Sequence, residues 1–145
     1  MTTNVPFFDW AGLWAEHADE FARIFAETGA RGGFILQRDV DEFENSLSEY
    51  LDGLHVVGLS DCTNAMHLGL RACGVGAGDE IVMPGHGFVA AAQAIHFAGA
   101  VAVPVELSET DWLIDPAAIE GAITDKTVGI MPVHVNGRVC DMQPI

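Results

Sequence analysis

The sequence predicts an α/β fold with a mostly parallel sheet and flanking helices. Apolar residues recur at helical spacing over residues 9–28 and again from about residue 39 to residue 51, and beyond that the period changes to short compact apolar runs. These runs then alternate with helical segments to the end of the chain. Alternation in segments this short favours parallel strands joined by helical crossovers.

In residues 9–28, Trp10, Leu13, Trp14, Phe21, Ile24 and Phe25 share one helical face. Asp9 suits the N-cap and Gly29 the C′ position. A second helix is expected from about residue 39, with Val40, Phe43, Leu47, Tyr50 and Leu51 on one side and Asp41, Glu42, Glu44 and Glu49 on a solvated face. Residues 54–59 read as a short buried strand, 63–73 as a helix and 80–83 as a second strand. A helix over 87–97 and a strand over 101–105 follow. Asp115-Pro116 opens a short helix, with Asp as N-cap and Pro in the first turn, and 127–133 is a further apolar strand. Asp141 resembles the N-cap of a helix that the chain does not reach. The expectation is therefore a truncated domain, with leading helices in 1–52, βα units in 53–145 and the C-terminal remainder absent.

Bulk properties narrow the function. No apolar run approaches the ~20 residues of a membrane span, and Met1-Thr2-Thr3-Asn4-Val5 has neither a basic nor an apolar leader region. A cytoplasmic location is expected. The net charge of −15 repels nucleic-acid phosphates and anionic lipid, so no nucleic-acid or membrane partner is expected. Cys62, Cys73 and Cys140 are scattered without metal-ligand spacing, as are His17, His55, His67, His86, His96 and His134, so no metal site is expected. Gly74-Val75-Gly76-Ala77-Gly78 follows a helix and precedes a strand, the reverse of a dinucleotide-binding turn. Gly74 is better read as a helix C′ residue.

One turn stands out physically. Leu59-Ser60-Asp61-Cys62-Thr63-Asn64 leads from an expected strand straight into a helix N-terminus. There, free N–H groups and the helix dipole favour an anion such as a phosphate. Simple capping of the helix by Ser60, Asp61 or Thr63 is the other reading.

The stretch Ser60-Asp61-Cys62-Thr63-Asn64-Ala65-Met66-His67-Leu68 resembles the S-x-G-T-x-A-L-H-L signature of the DegT/DnrJ/StrS family of sugar aminotransferases. The likeness continues through Gly76-Ala77-Gly78-Asp79-Glu80-Ile81-Val82-Met83-Pro84, Phe88-Val89-Ala90 and Ile114-Asp115-Pro116. It ends in Pro132-Val133-His134-Val135-Asn136-Gly137 and Asp141-Met142. This resemblance implies the large domain of the fold-type-I pyridoxal-phosphate transferases. It also implies a homodimer, and transfer of an amino group from an amino acid, commonly glutamate, to a nucleotide-linked keto sugar. Such chemistry belongs to polysaccharide, cell-envelope or secondary-metabolite sugar biosynthesis.

Carried over by position, the backbone of Thr63 and Asn64, with the Thr63 hydroxyl, would hold the phosphate of pyridoxal 5'-phosphate, and Phe88 would stack on its ring. Without the resemblance, Phe88 reads as a core aromatic. His86 is the histidine nearest that position. Cys62 departs from the family's glycine, and Glu106 from its aspartate. The Schiff-base lysine and the carboxylate for the pyridine nitrogen fall beyond this chain in the family. Lys126, in a turn before a strand, does not match that lysine. No catalytic residue is therefore assigned within the chain, and the chain alone is expected to be inactive. The same scaffold also serves sugar dehydratases, and a non-catalytic pseudoenzyme or regulator is a further alternative.

Overall fold

The computed structural model describes residues 5–145. Residues Met1–Asn4, which enter the leader reading, lie outside the described residues. The chain divides into two compact units, Met1–Gly58 and Leu59–Ile145.

In the first unit, α1 (Trp10–Ala30) starts where Asp9 accepts the Gly12 N–H at 2.9 Å, as expected. Its end differs from the expectation. Gly29 stays helical, and the left-handed C′ residue is Gly32, with φ 65°. The Gly33 N–H bonds to the Thr28 carbonyl and the Gly32 N–H to the Gly29 carbonyl, both at 3.1 Å. This is a Schellman closure, and it needs a residue tolerant of positive φ followed by a free N–H. The Gly32-Gly33 pair provides both. Helix α2 (Arg38–Tyr50) starts without a side-chain cap, although Asp39 and Asp41 place negative charge in its first turn, where the dipole favours it. An ion pair between Arg31 and Asp39 links the two helices. Neither helix buries any residue completely among the described residues.

Residues 54–59 do not form the expected strand. Leu54, Val57 and Leu59 are exposed, and the Gly58 N–H goes to the Glu44 carboxylate at 2.6 Å instead of to a neighbouring strand. A strand exists only with a partner to complete its hydrogen bonds. None of the described residues pairs with this segment in a ladder.

The second unit contains the sheet. Helix α3 (Cys62–Ala72) leads into β1 (Glu80–Pro84), then come α4 (Ala90–Phe97), β2 (Val101–Val105), α5 (Pro116–Ala122) and β3 (Thr127–Ile130). The strands pair in parallel in the order β2-β1-β3. Strand β3 is shorter than expected: Met131 still donates to the Val82 carbonyl at 2.8 Å, and the ladder ends there. Similarly, α4 begins at Ala90 and not at residue 87. One start and one end follow the reading closely: Asp115 accepts from Ala117 N–H at 3.0 Å with Pro116 in the first turn of α5, and Gly74 (φ 86°) terminates α3.

The central strand has apolar neighbours on both faces. Ile81 and Met83 pack with Val75, Ala91, Ile95, Ala98 and Ala100, and with Met66 and Leu70 of α3. From the other face, Val82 meets Leu113, Ile114, Ile119 and Cys140. Burying a side chain such as Ile95 contributes about 1.5–3 kcal/mol. Two-sided burial explains the continuous apolar run Ile81-Val82-Met83, which shows no alternation.

Candidate functional site

The topology gathers helix N-termini at one edge of the sheet. Strands β1 and β2 run parallel, and α4 returns between them, so it ends beside the start of β2. Helix α3 ends at the same edge: the Arg71 guanidinium bonds the carbonyls of Val75 at 3.4 Å and Ala98 at 3.3 Å. Both helices therefore begin at the carboxyl edge of the strands, where α/β sheets bind ligands. Thr63 and Asn64 lie in the first turn of α3, and Phe88 lies just before α4. The structure thus brings all three expected site residues to one edge. Lys126 is at the other, where its carbonyl accepts from Glu80 N–H at the beginning of β1.

Asp61 caps α3. Its carboxylate accepts the Asn64 N–H at 2.9 Å, and the Ser60 hydroxyl donates to the other oxygen at 2.9 Å. The Asn64 side-chain amide donates to both Ser60 Oγ and Asp61 Oδ2, closing the network. The Asn64 N–H, followed by the Ser60 hydroxyl, holds the Asp61 carboxyl below its ordinary value. It is thus ionised at neutral pH.

The donor set suits a phosphate ester on a flat ring at two of the three positions. Thr63 is half-buried at the positive end of the α3 dipole. Phe88 is 78% exposed, so it is an open aromatic face and not a core residue. Asn64 differs: its N–H is already held by Asp61, whose charge opposes a phosphate.

A second group of residues lies at the same edge, of which sequence reasoning singled out His86 alone. His86, Asp111, Trp112, Val135, Asn136 and Arg138 line a cleft of about 260 Å³. His86 also borders a neighbouring cleft of about 320 Å³ with Glu106 and Leu107. The Arg138 guanidinium donates to the Asp111 carbonyl at 2.6 Å. The Leu113 N–H, then the Ser108 hydroxyl and the Arg138 charge, lower the Asp111 pKa. These residues belong to loops far apart in sequence, and no motif signals them together.

Among the described residues no group of three or more His, Cys, Asp or Glu is placed to hold a metal ion. The three cysteines are free, with Cys62 exposed at the start of α3. Among the described residues no helix is long and apolar enough to cross a membrane.

Helices on both faces of a parallel sheet, with two helix N-termini at its carboxyl edge, define an α/β protein of the kind that seats ligands at that edge. More narrowly, the chain belongs to the DegT/DnrJ/EryC1/StrS aminotransferase family, whose sequence profile matches residues 16–145. It is 36% identical over 142 residues to the pleiotropic regulatory protein of Geobacillus stearothermophilus, covering 98% of this chain and 38% of that protein. Identity is 34% over 144 residues to the dTDP-3-amino-3,4,6-trideoxy-alpha-D-glucose transaminase of Streptomyces venezuelae, covering 99% of this chain and 38% of that one. The crystal structure of NtdA from Bacillus subtilis with bound cofactor PMP superposes with a TM-score of 0.93 at 34% identity, covering 100% of this chain and 34% of that chain. This likeness agrees with the fold-type-I transferase architecture expected from sequence. The chain spans 38% of the length of these two curated relatives.

Proposed function

We propose that the protein carrying this chain is a pyridoxal-phosphate-dependent aminotransferase. It moves an amino group from an amino acid, glutamate, to a nucleotide-linked keto sugar, and works in the cytoplasm as a homodimer. The observation that carries this reading is the placement of Thr63 and Phe88 at one sheet edge in a chain of the aminotransferase family. The named activity of the Streptomyces venezuelae relative, a transaminase of a dTDP-linked sugar, supports the acceptor class.

In this reading Thr63 donates its hydroxyl and first-turn N–H to the cofactor phosphate. Asn64 adds its N–H where Asp61 shares or yields it. Phe88 covers one ring face and keeps water from it. When bound, the cofactor supplies an electron-withdrawing ring that stabilises negative charge at the amino donor's α-carbon. Lys126 is not assigned as the covalent anchor in this reading, which its place at the opposite edge, one strand length away, supports. In this reading no residue of this chain serves as the covalent anchor.

Titration of the chain with pyridoxal phosphate, followed by borohydride reduction and peptide mapping, tests this assignment. The expected result is saturable binding that weakens in Thr63→Val, with no stoichiometric label on Lys126. Specific labelling of Lys126, or binding indifferent to Thr63, would overturn it. Amino transfer from glutamate to a dTDP-linked keto sugar, assayed in the protein that contains this chain, tests the reaction itself.

A further inference from the structure

The geometry points to the cleft between Trp112, Asp111, Asn136 and Arg138 as the seat of a sugar ring. This rests on the proposed sugar acceptor and deepens it by naming the residues that hold the ring.

The first support is strain placed in one spot. Within the second unit only two non-glycine residues have left-handed φ, Trp112 at 65° and Asn136 at 54°, and both line this cleft. A bulky residue in that conformation is rare, and such strain concentrates at binding sites when surrounding bonds enforce it. Those bonds are present. Trp112 N–H reaches the Ser108 carbonyl at 3.1 Å, Leu113 N–H reaches Asp111 Oδ1 at 3.0 Å, and Arg138 holds the Asp111 carbonyl. Their effect is to present the indole outward, 63% exposed.

Chemistry selects the occupant. A pyranose has a flat face of C–H groups and a rim of hydroxyls. The indole suits the face. The Asp111 carboxylate accepts from hydroxyls, the Asn136 amide both donates and accepts, and the guanidinium of Arg138 has further N–H donors. Asp111 and Arg138 carry opposite charges, so the cleft suits a neutral polyol better than a phosphate. Its volume of about 260 Å³ accommodates a hexose ring.

The test follows the indole N–H resonance of Trp112 by ¹⁵N NMR while the full chain is titrated with dTDP-glucose, and separately with dTDP. The expected result is a saturable Trp112 shift with dTDP-glucose and none with dTDP. Trp112→Gly should abolish sugar-dependent binding measured by calorimetry, while relieving the backbone and leaving the fold intact. Trp112→Tyr should retain it. Asp111→Asn, which keeps an acceptor for Leu113 N–H, should weaken it roughly tenfold, the equivalent of one lost hydrogen bond to a charged group. Equal shifts with both ligands, no shift at millimolar dTDP-glucose, or full binding by Trp112→Gly would each overturn the proposal. Pyridoxal-phosphate binding, measured on the same samples, separates the two readings. Binding at Thr63 without a Trp112 response sinks only the sugar cleft. A sugar-specific Trp112 response without cofactor binding sinks only the cofactor assignment.

Discussion

The Asp61 carboxylate accepts the backbone N–H of Asn64 at 2.9 Å, so the helix N-terminus proposed to hold a phosphate already holds an anion. Asp61→Asn preserves an N-cap while removing the charge. Pyridoxal phosphate should bind more tightly to this variant than to the parent chain, as read by a cofactor titration. Weaker binding in the variant would mean that the carboxylate supports the site.

The same carboxylate makes the cap sensitive to acid. Its folded pKa is depressed, chiefly by the Asn64 N–H, below the ordinary 3.8. The cap's contribution to stability is therefore complete above the unfolded value and is lost as pH falls through the lower folded one. The Asn64 amide resonance, followed through an acid titration, should move with a midpoint below 3.8. A midpoint at or above that value would contradict the cap.

Removing the Thr63 hydroxyl removes one charge-assisted hydrogen bond. Thr63→Val should weaken cofactor binding by about 1–3 kcal/mol. Phe88→Ala should loosen the ring with less effect at the phosphate, which ³¹P and absorbance titrations distinguish. Wild-type behaviour in both variants would remove these residues from the site.

Backbone protection should follow burial. Amides of β1, flanked by a strand on each side and buried at Ile81, Val82 and Met83, should exchange slowest. Residues 54–59 should exchange quickly, apart from Gly58, held by Glu44. Ile95→Ala should cost about 2–5 kcal/mol in denaturant unfolding of the sheet unit, because Ile95 has no exposed surface. Slow exchange across 54–59 would indicate a strand partner.

Features encoded within a few residues were legible in the sequence. Asp9 and Asp115 cap helices because their side chains reach N–H groups two or three positions on. The central apolar run was recognisable because a buried parallel strand needs no alternation. The end of α1 was less legible: Gly29 and Gly32 are equally permissive residues, and the choice depends on which following N–H groups close the last turn. Residues 54–59 have a strand's composition but no partner among the described residues, and composition cannot supply one. That Thr63 and Phe88 share one sheet edge was suggested only by resemblance. The Trp112, Asn136 and Arg138 cleft was not, since it exists only after three loops converge.

The gathering of α3 and α4 N-termini at one edge has a kinetic consequence in a chain of net charge −15. A phosphorylated ligand is repelled at a distance and attracted only close in, because the helix field is confined to its first turn while the net charge acts over a screening length of about 8 Å at physiological ionic strength. Added salt removes the distant barrier sooner than the local attraction. Capture should therefore accelerate with moderate salt, opposite to an electrostatically steered encounter. In stopped-flow mixing with pyridoxal phosphate, the association rate should rise between low and physiological ionic strength, and a monotonic fall would show that the local field dominates the whole approach.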